Sequence, residues 1–86
     1  MSLRERIDRQ VDELRAARDE LQVRLHLGKM DAEELWQQIE KQWEHTEGKL
    51  KVLGDASQEA AEEVAQAAEL VLEEIREGYA KLRKLL

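Results

Sequence analysis

The sequence predicts an all-α protein, a long antiparallel helical hairpin that dimerises into a four-helix arrangement. Three observations carry this. The 86 residues are 40% charged and hold no proline, no phenylalanine and only four glycines. Most of the remainder is Ala, Leu, Glu, Lys, Arg and Gln, the residues that lose least on entering a helix. An apolar or small residue recurs at helical spacing from Leu3 to Leu53, and the clearest break comes at Leu53-Gly54-Asp55.

The first element opens with a capping signature. Ser2 is followed three residues later by Glu5, so the hydroxyl can accept from an orphan amide while the carboxylate reaches back to the cap. From there the stripe runs Leu3, Ile7, Val11, Leu14, Ala17, Leu21, Leu25, Gly28, Ala32, Leu35, Ile39, Trp43, Thr46, Leu50 and Leu53. Its mean step of about 3.57 lies between the heptad value and that of a straight helix, so the stripe winds with a slight left hand. Trp36 and Trp43, one heptad apart, share a face. At LHLGKMD, Gly28 is a candidate left-handed cap and Asp31, three before Glu34, a candidate start for a new helix. The stripe nevertheless keeps its phase through positions 25, 28, 32 and 35, which one continuous helix over about 3–53 requires.

After a turn at 54–55, capped by Asp55 or Ser57, a second helix over about 56–85 reads as four heptads. Position a is Ala61, Ala68, Ile75 and Leu82; position d is Val64, Val71, Gly78 and Leu85; position e (Ala65, Leu72, Tyr79, Leu86) is apolar as well. A face that wide suits a helix touching two neighbours. Asp55, Glu59, Glu62 and Glu63 crowd its start, and Lys81, Arg83 and Lys84 its end, as the helix dipole favours.

Folding back at Gly54 sets Trp43 opposite Ala65, Ile39 at the level of Ala68, Ala32 opposite Ile75 and Gly28 opposite Tyr79, so that large faces small. The predicted core is Leu25, Leu35, Trp36, Ile39, Trp43, Leu50, Val64, Ala68, Val71, Ile75, Tyr79 and Leu82. The second helix is too short to cover the start of the first. Leu3, Ile7, Val11, Leu14 and Leu21 are therefore expected to form a self-association surface and to make the protein a homodimer. A chain this short buries only about 60% of its unfolded surface, which favours association too. The competing architecture turns at Gly28 and gives a monomeric three-helix bundle, about 3–27, 31–53 and 56–85.

No constellation of side chains points to catalysis. His26 and His45 lie nineteen residues apart, and the position that would complete Glu-x-x-His with His45 is Gln42. With no cysteine there is no thiolate site, so neither a metal nor a cofactor is expected. Glu62-Glu63 and Glu73-Glu74 are adjacent pairs whose side chains point about 100° apart, as on a solvated face. Ser2 and Ser57 read as caps, and Thr46 lies on the stripe without a histidine-acid pair set to activate its hydroxyl.

Net charge is -6, and the six arginines of residues 1–27 are interleaved with six acids at spacings such as Arg4/Asp8 and Arg15/Asp19. Nucleic acid is not an expected partner. Nor is a membrane, since no stretch approaches the roughly 20 apolar residues of a span and the second helix has an acidic polar face. A soluble chain in a reducing cytoplasm is the default.

The run LHLGKMDAEELWQQIEKQWEH, followed by an alanine-rich helix ending EGYAKLRKLL, resembles uncharacterised small acidic α-helical coiled-coil proteins of bacteria. The resemblance implies a bacterial, helical, non-enzymatic protein and carries over no functional residue. The expected function is a structural or protein-interaction module, self-associating and able to recruit another protein. The alternative is a stress-related helical protein that binds a surface or partner and is partly disordered alone. Trp36 and Trp43 read as core, with a partner anchor as the competing role.

Overall fold

The computed structural model describes residues 2–26, 28–55 and 57–86, which form three helices: α1 (Leu3–Leu25), α2 (Met30–Asp55) and α3 (Gln58–Leu85). The all-α class stands, but the continuous helix over 3–53 does not. The bundle measures 44 × 22 × 16 Å, and its long axis matches one helix of about 28 residues at 1.5 Å per residue, far short of a rod over 3–53.

Burial explains why the chain turns. Ile7, Val11, Leu14 and Leu21, expected at an interface between copies, are each 5% exposed or less within the single chain, with Leu3 half-buried beside them. At about 1.5–3 kcal/mol for each fully buried side chain, covering them gains roughly 6–12 kcal/mol, an upper bound set by the unfolded reference. Interrupting the helix costs about four backbone hydrogen bonds, on the order of 1 kcal/mol each. The N-terminal stripe is thereby covered by its own chain, and the argument that it must seek a second copy lapses.

Gly28 is not the left-handed cap its position suggested, for no described glycine has a positive φ. Its role is steric. A Cβ there would stand 2.7 Å from Leu86 Cδ2, 3.0 Å from Ala32 Cβ and 3.1 Å from the Leu25 carbonyl oxygen. Nor does Asp31 cap α2; the amides of Ala32 and Glu33 donate to the Lys29 carbonyl, and Asp31 sits in the first turn where the dipole favours an acid. Ser2 Oγ accepts from the Glu5 amide at 3.2 Å, and Ser57 Oγ from that of Ala60 at 3.5 Å. Asp55 closes α2 instead of capping α3, and the expected start of the last helix at residue 56 lies outside the described residues.

Ion pairs mark the directions. Arg6–Glu69 and Glu20–Arg83 run α1 parallel to α3, while Arg18–Glu40 sets α1 antiparallel to α2. The backbone of α3 lies close against both α1 and α2, which approach each other less closely. Alanine makes this possible: Ala65 and Ala68, with Leu72, Ile75, Tyr79 and Leu82, form the buried face, so positions a and e carry the core. Position d turns outward at its end, with Leu85 47% exposed.

The register of α2 on α3 differs from the one expected. Ile39 meets Gly78, Gln42 bonds Glu74 and Gly28 meets Leu86, about two turns further along α3 than a reversal at Gly54 would place them, and the Trp43 side chain reaches further still, to Tyr79. The reason is that α2 continues to Asp55 and α3 begins at Gln58, which moves the point of reversal along the chain. Large still faces small: Ile39 lies over Gly78, where a Cβ would come within 2.9 Å of its Cγ1.

Candidate functional site

Two regions along the α2–α3 interface differ from ordinary helix packing. The first is a polar-aromatic cluster at mid-bundle. Trp36 and Trp43 follow from their heptad spacing on α2, and Tyr79 comes from position e of α3. Trp43 Nε1 donates to Tyr79 Oη at 2.6 Å, and the Trp36 and Tyr79 rings stack at 6.4 Å with a 32° tilt. Both partners of the hydrogen bond are nearly inaccessible, Trp43 at 3% and Tyr79 at 2%. An indole N–H cannot be buried without an acceptor at reasonable cost, and the tyrosine supplies it. Burial pushes the Tyr79 phenol up to about 12, opposed by the bond from Trp43.

Arg18 of α1 closes this cluster towards solvent. Its Nε and Nη2 both donate to the Glu40 carboxylate at 2.7 Å, a bidentate pair that joins α1 to α2. The hydrogen bond to Glu40 raises the guanidinium pKa further above its ordinary value, while partial burial acts the other way. The cluster is satisfied internally: among the described residues, no buried side-chain nitrogen or oxygen lacks a hydrogen-bond partner. Even Thr46, fully buried, donates to the Gln42 carbonyl. A network with every valence filled holds a fold together and leaves little to bind with.

The second region is an open crevice of about 410 Å³ between α2 and α3, lined by Glu44, His45, Gly48, Lys49, Val52, Glu63, Val64 and Ala67. Gly48, Val64 and Ala67 give it an apolar floor, and Val52, 56% exposed, forms one wall. Gly48 is the informative residue. A glycine in the middle of a helix loses about 1 kcal/mol against alanine, yet a Cβ here would meet nothing within 4 Å. Folding of this chain does not require it.

The residues named from sequence fall into three groups. Trp36, Ile39, Trp43, Ala68, Ile75, Tyr79 and Leu82 are buried, while Leu25, Leu35, Leu50, Val64 and Val71 are half-buried around them. Leu3, Ile7, Val11, Leu14 and Leu21 join the same core instead of a separate surface. His26 and His45 are both exposed and stand on different helices or their ends, His26 capping α1 and His45 at the crevice. Among the described residues no group of three or more His, Cys, Asp or Glu side chains is placed to hold a metal, and no helix is long and apolar enough to cross a membrane. Sequence reading overlooked the crevice, although Gly48, a helix breaker without a turn around it, was its visible signal.

Compared with protein families, with curated proteins and with solved structures, the chain matches none of them.

Proposed function

We propose that the protein is a non-enzymatic interaction module whose α2–α3 crevice receives one amphipathic helix of another protein, with basic side chains along the flank that faces α3. The observation that carries this reading is Gly48, a helix-interior glycine with open space above it. A position that weakens its own helix without serving its own packing suits a site where another backbone comes close.

The dimensions fit a helix. From Glu44 to Val52 the crevice follows α2 for about 12 Å, roughly two turns, enough for apolar residues at i, i+3 or i+4 and i+7 to reach Val52, Val64 and Ala67. Charge selects the flank. Residues 54–75 hold seven acids and no lysine or arginine, and Glu63 of that run lines the crevice. Lys49 on the opposite wall disfavours a uniformly basic ligand and sets its orientation.

The test uses designed amphipathic helices labelled for fluorescence anisotropy, identical in apolar face and carrying either lysines or glutamates on one flank. The lysine helix should bind the wild-type chain at least about tenfold more tightly than the glutamate helix. Gly48→Leu, which fills the crevice while favouring the helix, should weaken binding by a further factor of about ten. Equal binding of the two peptides, or an unchanged affinity in Gly48→Leu, overturns the reading.

A further inference from the structure

We infer that a second copy of this chain is also a partner, by exchange of α1: the turn at Gly28 straightens, α1 and α2 become one helix, and α1 docks on the α2–α3 pair of the other copy. This is independent of the crevice, which the exchange leaves untouched.

Three observations meet here. The first is the phase of burial. Leu21 is the last buried residue of α1 and Ala32 the first of α2, eleven positions apart, which is three turns of an uninterrupted helix. A turn places no such demand on spacing. Continued as one helix, the chain would present both core faces in the same direction, ready for a neighbour.

The second is register. Arg18 pairs with Glu40, and the midpoint of positions 18 and 40 is 29. Two straightened copies lying antiparallel with their two-fold axis at Lys29 would set Arg18 of each beside Glu40 of the other, in the register the single chain already uses. The contacts of α1 with α3 transfer in the same way, so the exchange gains and loses the same side-chain packing. What separates the two forms is the connection alone.

The third is the chemistry of that connection. No proline occurs anywhere in the chain, no described residue has a positive φ, and His26 is already in the right-handed helical region at φ −65°, ψ −14°. The described backbone around Gly28 therefore has no locked turn to undo. Gly28 itself favours the folded-back form, because a Cβ there would crowd the Leu86 side chain, Ala32 and the Leu25 carbonyl. It disfavours the straight one, being the poorest helix former after proline. Both effects of this one residue hold the chain towards the folded-back form.

Two variants separate the outcomes. Gly28→Ala crowds the folded-back turn and favours the continuous helix; its dimerisation constant, from light scattering across a concentration series after refolding, should rise at least about tenfold over wild type. Met30→Pro places proline at the first position of α2, where the amide has no partner within its own helix and Met30 is 75% exposed, so the three-helix form is kept. Across a continuous helix the same proline is a breaker, and this variant should stay monomeric at every concentration. Exchange is told from simple docking by Arg18→Lys, in which a carbodiimide can join the new amine to Glu40. In mixed isotopically light and heavy chains, that link should join a light to a heavy chain in the dimer fraction. Links confined to one chain within the dimer fraction, or Gly28→Ala and Met30→Pro chains that associate alike, would overturn the inference.

Discussion

Between Trp36 and Trp43, α2 lies against α3 with an isoleucine seated over a glycine and an indole bonded to a phenol; from Glu44 to Val52, the same two helices stand around an open crevice. Each half contains one glycine in mid-helix. Gly78 is there because Ile39 leaves no room for a Cβ, whereas Gly48 has nothing over it at all. Composition alone treats the two glycines alike. What differs is the partner surface: at one the opposing side chain comes from this chain, and at the other the space is empty. Packing against the molecule's own core and reserving space for something outside it can thus follow each other within three turns of the same helix.

The comparison can be broken most forcefully at Trp43. Trp43→Ala should lower stability by about 3–5 kcal/mol, since the void would be walled by helices that cannot collapse into it. A thermal or denaturant melt showing a loss below about 1 kcal/mol would mean that the tight half is not tight.

The next effect is the pH dependence of Tyr79. Its phenol, near 10 in the unfolded chain, is pushed up to about 12 in the folded one, chiefly by burial. Because the folded value is the higher, the contribution is fully present below about pH 10 and is lost as pH rises towards about 12. The loss should reach roughly 2–3 kcal/mol, visible as a falling denaturant midpoint across that window. In Tyr79→Phe, which should also cost about 1–3 kcal/mol at neutral pH by leaving the Trp43 N–H without an acceptor, this portion of the alkaline slope should be gone. A Phe variant with the wild-type slope would assign the alkaline loss to other groups.

A matched pair of small changes sharpens the contrast. Gly48→Ala should stabilise the chain by about 0.5–1 kcal/mol, the ordinary helix-propensity gain with nothing to clash against. The same substitution at Gly78 gains as much in propensity but overpacks Ile39, and the overpacking cost of about 1–3 kcal/mol should leave it neutral to destabilised. Melting temperatures that rise equally for both would erase the distinction between the two halves.

The sequence made some of this visible and concealed the rest for identifiable reasons. Ser2 and Ser57 signalled helix starts because a hydroxyl one residue ahead of a helix has a definite task. The apolar e positions Ala65, Leu72 and Tyr79 signalled a helix with two neighbours, and α3 packs on both α1 and α2. The turn at Gly28 was legible only as the competing three-helix course, because periodicity reports the direction of a face about a local axis and is blind to a bend that restores the phase. Deciding it required weighing the burial of Ile7, Val11, Leu14 and Leu21 against a few hydrogen bonds, a tertiary quantity. The register of α2 on α3 was hidden too, since alanine occurs so often on α3 that several alignments place small opposite large. The hydrogen bond between Trp43 and Tyr79 depends on that register and could not be read before it.

The up-down-up course of the three helices also has a mechanical side. With α1 parallel to α3, Ser2 and Leu86 lie at opposite ends of a bundle 44 Å long. A pull between these two points would slide α1 and α3 past one another along their whole contact, loading all of their side-chain contacts together instead of peeling them off in succession. Joined head to tail, such units would act as stiff spacers, each adding its own length between whatever is attached on either side.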